Sequence, residues 1–149
     1  MRYLLDTNIL LIYLRNQKTK DYIDQTYQPF SAPNIPLISV VSKGEIKSIG
    51  LRNKWGVARL QALDIFLDEL LVVDINAKDI IEKYAEIDAF SQGKLPGKPL
   101  EMSSRNMGKN DLWIAATASV TGAKLLTMDG DFDHLEGEYL DLVKIELIK

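Results

Sequence analysis

The chain has 149 residues, 46% hydrophobic and 26% charged, with a net charge of -3, no cysteine and a single histidine, His134. That size predicts one domain over residues 1–149, burying roughly two-thirds of its unfolded surface in one core. The absent cysteines exclude disulfides, thiol nucleophiles and thiolate-bound zinc, and a lone histidine excludes two-histidine metal sites and paired-histidine cleavage of RNA. Any catalysis therefore rests on carboxylates, lysines or hydroxyls. No apolar run approaches the ~20 residues of a membrane span, and the N-terminus opens on a strand-like segment rather than a leader. Cytoplasmic residence with no membrane partner is the expectation.

Residues 2–6 read as a buried strand, followed by an apolar helical stretch through Leu14 and a second amphipathic helix over Thr19–Tyr27. Pro29, Pro33 and Pro36 break the pattern, and the β-branched run Leu37–Val41 predicts a strand. Ser42 with Glu45 three residues later has capping-box spacing, so a helix is expected to start there. Leu60, Leu63, Phe66, Leu67 and Leu70 mark an amphipathic helix leading into a strand over Leu71–Ile75. Asn76 can cap the next helix, whose apolar face would use Ile80, Ile81, Tyr84, Ile87 and Phe90. Between Gly93 and Gly108 the chain is rich in Gly, Pro and Ser and reads as a substrate-facing loop. Asn110 or a neighbour can cap a helix through Val120 that stops at Gly122; Lys124–Met128 is a strand and Asp129-Gly130-Asp131 a turn. Leu140–Ile148 closes as a strand whose Asp141, Lys144 and Glu146 suit an edge position.

Four carboxylates stand at matching ends of these elements. Asp6 and Asp129 each follow a short apolar strand, whereas Glu45 and Asp111 each open a helical stretch. All four can therefore meet at one edge of a parallel sheet, where open α/β folds build their sites. Converging acids repel unless a cation neutralises them, and hard oxygen donors suit Mg²⁺ or Mn²⁺. Each acid also has a plain structural reading: Asp6 as an N-cap, Glu45 as the capping-box partner of Ser42, Asp111 as a charge favoured by the helix dipole, and Asp129 with Asp131 as an Asx turn. His134 reads as a surface residue in a short turn.

The charge distribution is uneven. Residues 43–59 carry Lys43, Lys47, Arg52, Lys54 and Arg59 against Glu45 alone, and residues 94–110 carry Lys94, Lys98, Arg105 and Lys109 against Glu101. Each stretch adjoins a candidate acid, so a polyanion could be held by the basic flanks, with Lys43, Lys47, Arg105 and Lys109 as candidate RNA contacts. Solvated faces are the alternative reading.

Taken in order, strand-end Asp6, helix-start Glu45, Asn110-Asp111 before an alanine-rich helix and Thr127-x-Asp129-x-Asp131-Phe132 after a strand resemble the PIN-domain nucleases, from Leu4 to about Phe132. A chain consisting of the domain alone looks most like a VapC-type toxin of a toxin–antitoxin pair. The resemblance implies an α/β/α sandwich around a mainly parallel sheet of about five strands, and a metal-dependent endoribonuclease using Mg²⁺ or Mn²⁺. It carries over Asp6, Glu45, Asp111 and Asp129 as the acidic site, with Asn8, Asn110 and Thr127 in support. Asp131 is a second acid beside Asp129, and either of the two can be the fourth metal ligand. Implied partners are the RNA substrate and a cognate antitoxin, and a homodimer is compatible with the family. A PIN-fold module that binds or assembles without catalysis is the alternative.

Two other classes fail on the residues. A haloacid-dehalogenase-type phosphatase needs a second acid where this chain has Asn8. A calcium loop from Asp129, Asp131 and Asp133 would need Gly at the position of His134 and Glu at that of Leu140.

Overall fold

The computed structural model describes all residues from Met1 to Lys149. Five strands, β1 (Arg2–Leu5), β2 (Ile35–Ser39), β3 (Leu71–Val73), β4 (Lys124–Thr127) and β5 (Asp141–Lys144), form one sheet in the order β3-β2-β1-β4-β5, and every pair is parallel. Six helices accompany them: α1 (Thr7–Arg15), α2 (Gln17–Thr26), α3 (Val40–Arg52), α4 (Val57–Asp68), α5 (Lys78–Ser91) and α6 (Lys109–Thr121), with a 3-10 helix over Gly130–Leu135.

Strand side chains alternate between two cores, as the period of two requires. Leu4, Leu37 and Leu125 enter one with Ile87, Phe90, Ile114 and Phe132, while Leu5, Ile38 and Leu126 enter the other with Ile9, Ile23, Ile46 and Leu63. Both faces of the sheet are thus covered by helices, which makes an α/β/α sandwich and explains why the inner strands are continuously apolar. Strand order reverses beside β1: the chain first builds outward through β2 and β3, then returns to place β4 on the other side. A crevice opens at such a switch point, outside the carboxyl ends of the strands.

Several boundaries depart from expectation. Val40 and Val41, although β-branched, belong to α3, whose N-cap is Ser39, its Oγ accepting the Val41 N–H at 3.1 Å. Ser42 therefore lies inside the helix, its Oγ buried without a partner, and the capping box with Glu45 does not form. Helix α5 is capped by the Ala77 backbone rather than by Asn76, and Ile81 is exposed, not part of the packed face. Asn110 is the second residue of α6, behind an N-cap at Gly108. Gly122 ends that helix in a left-handed conformation at φ 67°, as its position predicts. The final strand is shorter than expected, yet β5 is an edge strand.

Candidate active site

Asp6 leaves β1 and caps α1, so its carboxylate is fixed by the chain itself. Its Oδ1 accepts the Thr7 N–H at 2.8 Å and its Oδ2 accepts the Thr127 hydroxyl at 2.7 Å, in a setting only 5% exposed. The capping role and the site role are the same geometry. Thr127, the last residue of β4, also receives the Asp129 N–H at 3.0 Å, so the ends of the two adjacent strands are locked together through one hydroxyl. Asn8 adds a further tie, its Oδ1 accepting the Met128 N–H at 3.2 Å.

Glu45 projects from α3 toward the first turns of two other helices. Its Oε1 accepts the Thr7 hydroxyl at 2.8 Å and its Oε2 accepts Nδ2 of Asn110 at 3.1 Å. With no Ser42 amide to cap, this residue joins α1, α3 and α6 at the carboxyl edge of the sheet. Asp111 lies in the first turn of α6, half-buried. Asp129 forms the Asx turn its sequence suggests, its Oδ1 accepting the Asp131 N–H at 2.9 Å. Carboxylate oxygens of Asp111, Asp129 and Asp131 all lie within 4.8 Å of one another, a group that could hold a metal ion. Asp6 and Glu45 lie outside that tight group.

The electrostatics tie all five acids together. Asp111 is pushed up to about 7, first by burial and then by the charges of Asp6, Asp129, Asp131 and Glu45. Burial also raises Asp6; the Thr127 and Thr7 hydrogen bonds oppose this, and Glu45 and Asp129 add to it. Every salt bridge in the molecule lies elsewhere, so none of these five carboxylates has a basic side chain as counter-ion. Clustered oxygen donors without a counter-ion fit a hard divalent cation better than any other group.

A family model described as PIN domain matches residues 3–138. The chain belongs to the PIN domain family. Solved structures similar to this PIN domain include VapBC2 from Rickettsia felis bound to a promoter DNA fragment, with TM-score 0.76 and 24% identity over 98% of this chain and 100% of that one. VapBC-1 from nontypeable Haemophilus influenzae gives 0.72 at 20% identity, covering 97% and 98%. A toxin–antitoxin complex from Klebsiella pneumoniae gives 0.70 at 18%, covering 98% and 99%. At these identities the likeness establishes the fold. No curated protein matches the sequence.

The basic residues of this PIN domain divide into two groups. Lys47 pairs with Asp64 of α4 at 3.3 Å, and Lys43, four residues earlier, shares that face of α3, turned from Glu45. These two do not face the acids. Lys109 is exposed at the start of α6, and Arg105 lines a cavity of about 270 Å³ with Asp131. Arg52, on the Glu45 side of α3, lines a cavity of about 540 Å³ together with Glu45 and Asn110. Helical spacing from Glu45 could have singled it out, since residues seven apart share a face.

His134 is not a surface residue. It is 5% exposed, its Nε2 shares a hydrogen bond with the buried Ser91 Oγ at 2.7 Å, and burial holds its pKa below the usual histidine range. Arg105 meets the same region through its backbone, its N–H donating to the Ser91 carbonyl at 2.9 Å. The loop between α5 and α6 is thereby fastened beside the acidic turn. Ser91 carried no sequence signal, because a serine at a helix end is commonplace.

Proposed function

We propose that this protein is a metal-dependent endoribonuclease, the VapC-type toxin of a toxin–antitoxin pair. The observation that carries this reading is the convergence of Asp6, Glu45, Asp111, Asp129 and Asp131 at the carboxyl edge of β1 and β4 without a single cationic partner. Membership of the PIN family and the likeness to VapBC complexes support it. Asp111, Asp129 and Asp131 would hold Mg²⁺ or Mn²⁺, with Asp6 and Glu45 completing the negative site. When bound, such an ion supplies charge neutralisation and Lewis acidity toward a phosphodiester.

The chain's own residues do the positioning. Thr127 and the Thr7 amide hold Asp6 in one rotamer, while Thr7 and Asn110 aim Glu45. One carboxylate of the set orients the attacking water and receives its proton. The water oxygen bonds to phosphorus as the P–O3′ bond breaks, the departing O3′ takes a proton from solvent, and no 2′-hydroxyl nucleophile is needed. Products then carry a 5′-phosphate and a 3′-hydroxyl.

Incubating purified protein with total RNA and Mn²⁺, and mapping new 5′ ends, tests the activity: discrete 5′-phosphorylated ends are expected, and an unchanged RNA population contradicts it. The partner is tested in cells. Expression of the chain alone should arrest growth, and co-expression of the adjacent open reading frame should relieve the arrest. Normal growth with abundant folded protein would favour a binding module.

A further inference from the structure

The acidic site does not stand alone on its edge of the sheet. Beside it, Val40, Val41, Gly44, Glu45, Ser48, Ile49 and Arg52 of α3, with Asn110 of α6, line an open cleft of about 540 Å³. That volume is within the roughly 300–1,000 Å³ of sites that take small organic ligands. Three features mark it as more than a surface dent. Its apolar lining is accessible, Val40 being 38% exposed despite its place in the first turn of a packed helix. Gly44 faces empty space: a Cβ built there meets nothing within 4 Å. Arg52 has no carboxylate partner; its Nε donates only to Ser48 Oγ, at 3.3 Å.

Glu45 and Asn110 belong to both the cleft and the acidic site, so the two are continuous. Arg52 lies seven residues beyond Glu45 on the same helix face, about 10 Å along the axis at roughly 1.5 Å per residue. Its guanidinium would therefore meet a backbone phosphate beyond the scissile one. The geometry points to a subsite for one unpaired nucleotide of RNA flanking the cleaved bond, its base against Val40, Val41 and Ile49 in the space that Gly44 leaves, its phosphate on Arg52 and Ser48. Charge and shape agree on this occupant: a cation for the phosphate, and an apolar surface, aliphatic rather than aromatic, for a base face. The assignment rests on the nuclease reading for which bond is cut, but not for whether RNA occupies the cleft.

Binding and cleavage separate the two. In an Asp6→Asn background, binding of a fluorescein-labelled single-stranded RNA dodecamer is read by anisotropy in Mg²⁺. Arg52→Gln should weaken it roughly tenfold and lower the slope of log affinity against log salt by about 0.7, the value for one single-strand phosphate contact. Gly44→Phe, which fills the cleft, should weaken it by a similar factor, whereas Gly44→Ala should bind like its parent. In the otherwise wild-type protein both disruptive changes should raise KM with little change in kcat. Parental affinity and salt slope in Arg52→Gln, or parental affinity in folded Gly44→Phe, would overturn the subsite; if Gly44→Phe fails to fold, Arg52→Gln decides. Binding lost in these variants while wild type never cleaves would refute the nuclease and keep the subsite. No RNA binding by the parent would overturn both.

Discussion

Asp111 carries the clearest electrostatic signature of any carboxylate in the molecule. Its carboxyl is raised to about 7 by burial and by four neighbouring acids, so without metal the folded state retains a proton that the unfolded chain releases near 4. The native state thus binds more protons over that interval, and stability falls as pH rises from about 4 to about 7. Because the buried His134 pulls the other way over the same interval, the Asp111 contribution is read against Asp111→Asn. From pH 5 to pH 8 the melting temperature of metal-free wild type should fall relative to that of the variant, with Mg²⁺ raising the wild-type pH 8 value most, and parallel profiles by scanning calorimetry would contradict this. Asp111→Asn removes one of the mutually repelling charges and should melt higher than wild type in EDTA at pH 8. Ser91 makes a different case. Ser91→Ala would leave His134 Nε2 buried without its partner, a loss of about 1–3 kcal/mol, measurable by urea denaturation. A change below a few tenths would mean that the pair is energetically idle.

Helix α3 shows how local environment decides what a glycine does. Gly44 faces open space, so Gly44→Ala should stabilise by about 0.5–1 kcal/mol through backbone entropy. Gly50 lies on the same helix under Trp55 and Leu60, where an added Cβ would meet ring and methyl carbons at 3.1 and 3.2 Å. Gly50→Ala should therefore destabilise, and melting temperatures that move together would refute the distinction. This helix also marks where the sequence stops being legible. The sequence predicts its start at Ser42 because Val40 and Val41 extend a β-branched run, and β propensity reports side-chain packing more than backbone preference. Ser39 caps the helix earlier, so Glu45 is free to reach Thr7 and Asn110. The longer periodic helices α5 and α6, and the strand before Asp6, were readable because burial on one face or both leaves a regular pattern.

For the whole molecule, the acids at element ends could be read from the sequence, since strand-to-helix junctions of parallel units fall on one side of the sheet. What could not be read was depth: that Asp6 is nearly enclosed and that His134 is buried against Ser91. Those facts depend on which helices cover which strands, a property of the crossovers and not of local pattern. The central claim is that this acidic edge hydrolyses RNA with a divalent ion. Asp6→Asn is the sharpest probe, because the amide is isosteric and its oxygen can still accept the Thr7 N–H. The decisive measurement is cleavage of a single-stranded RNA containing a mapped site by wild type and Asp6→Asn, each with Mn²⁺ and with EDTA. The account predicts 5′-phosphate and 3′-hydroxyl products from wild type with Mn²⁺ alone, and a variant that folds like wild type but does not cleave; wild-type rates from Asp6→Asn, or cleavage that persists in EDTA, would contradict it.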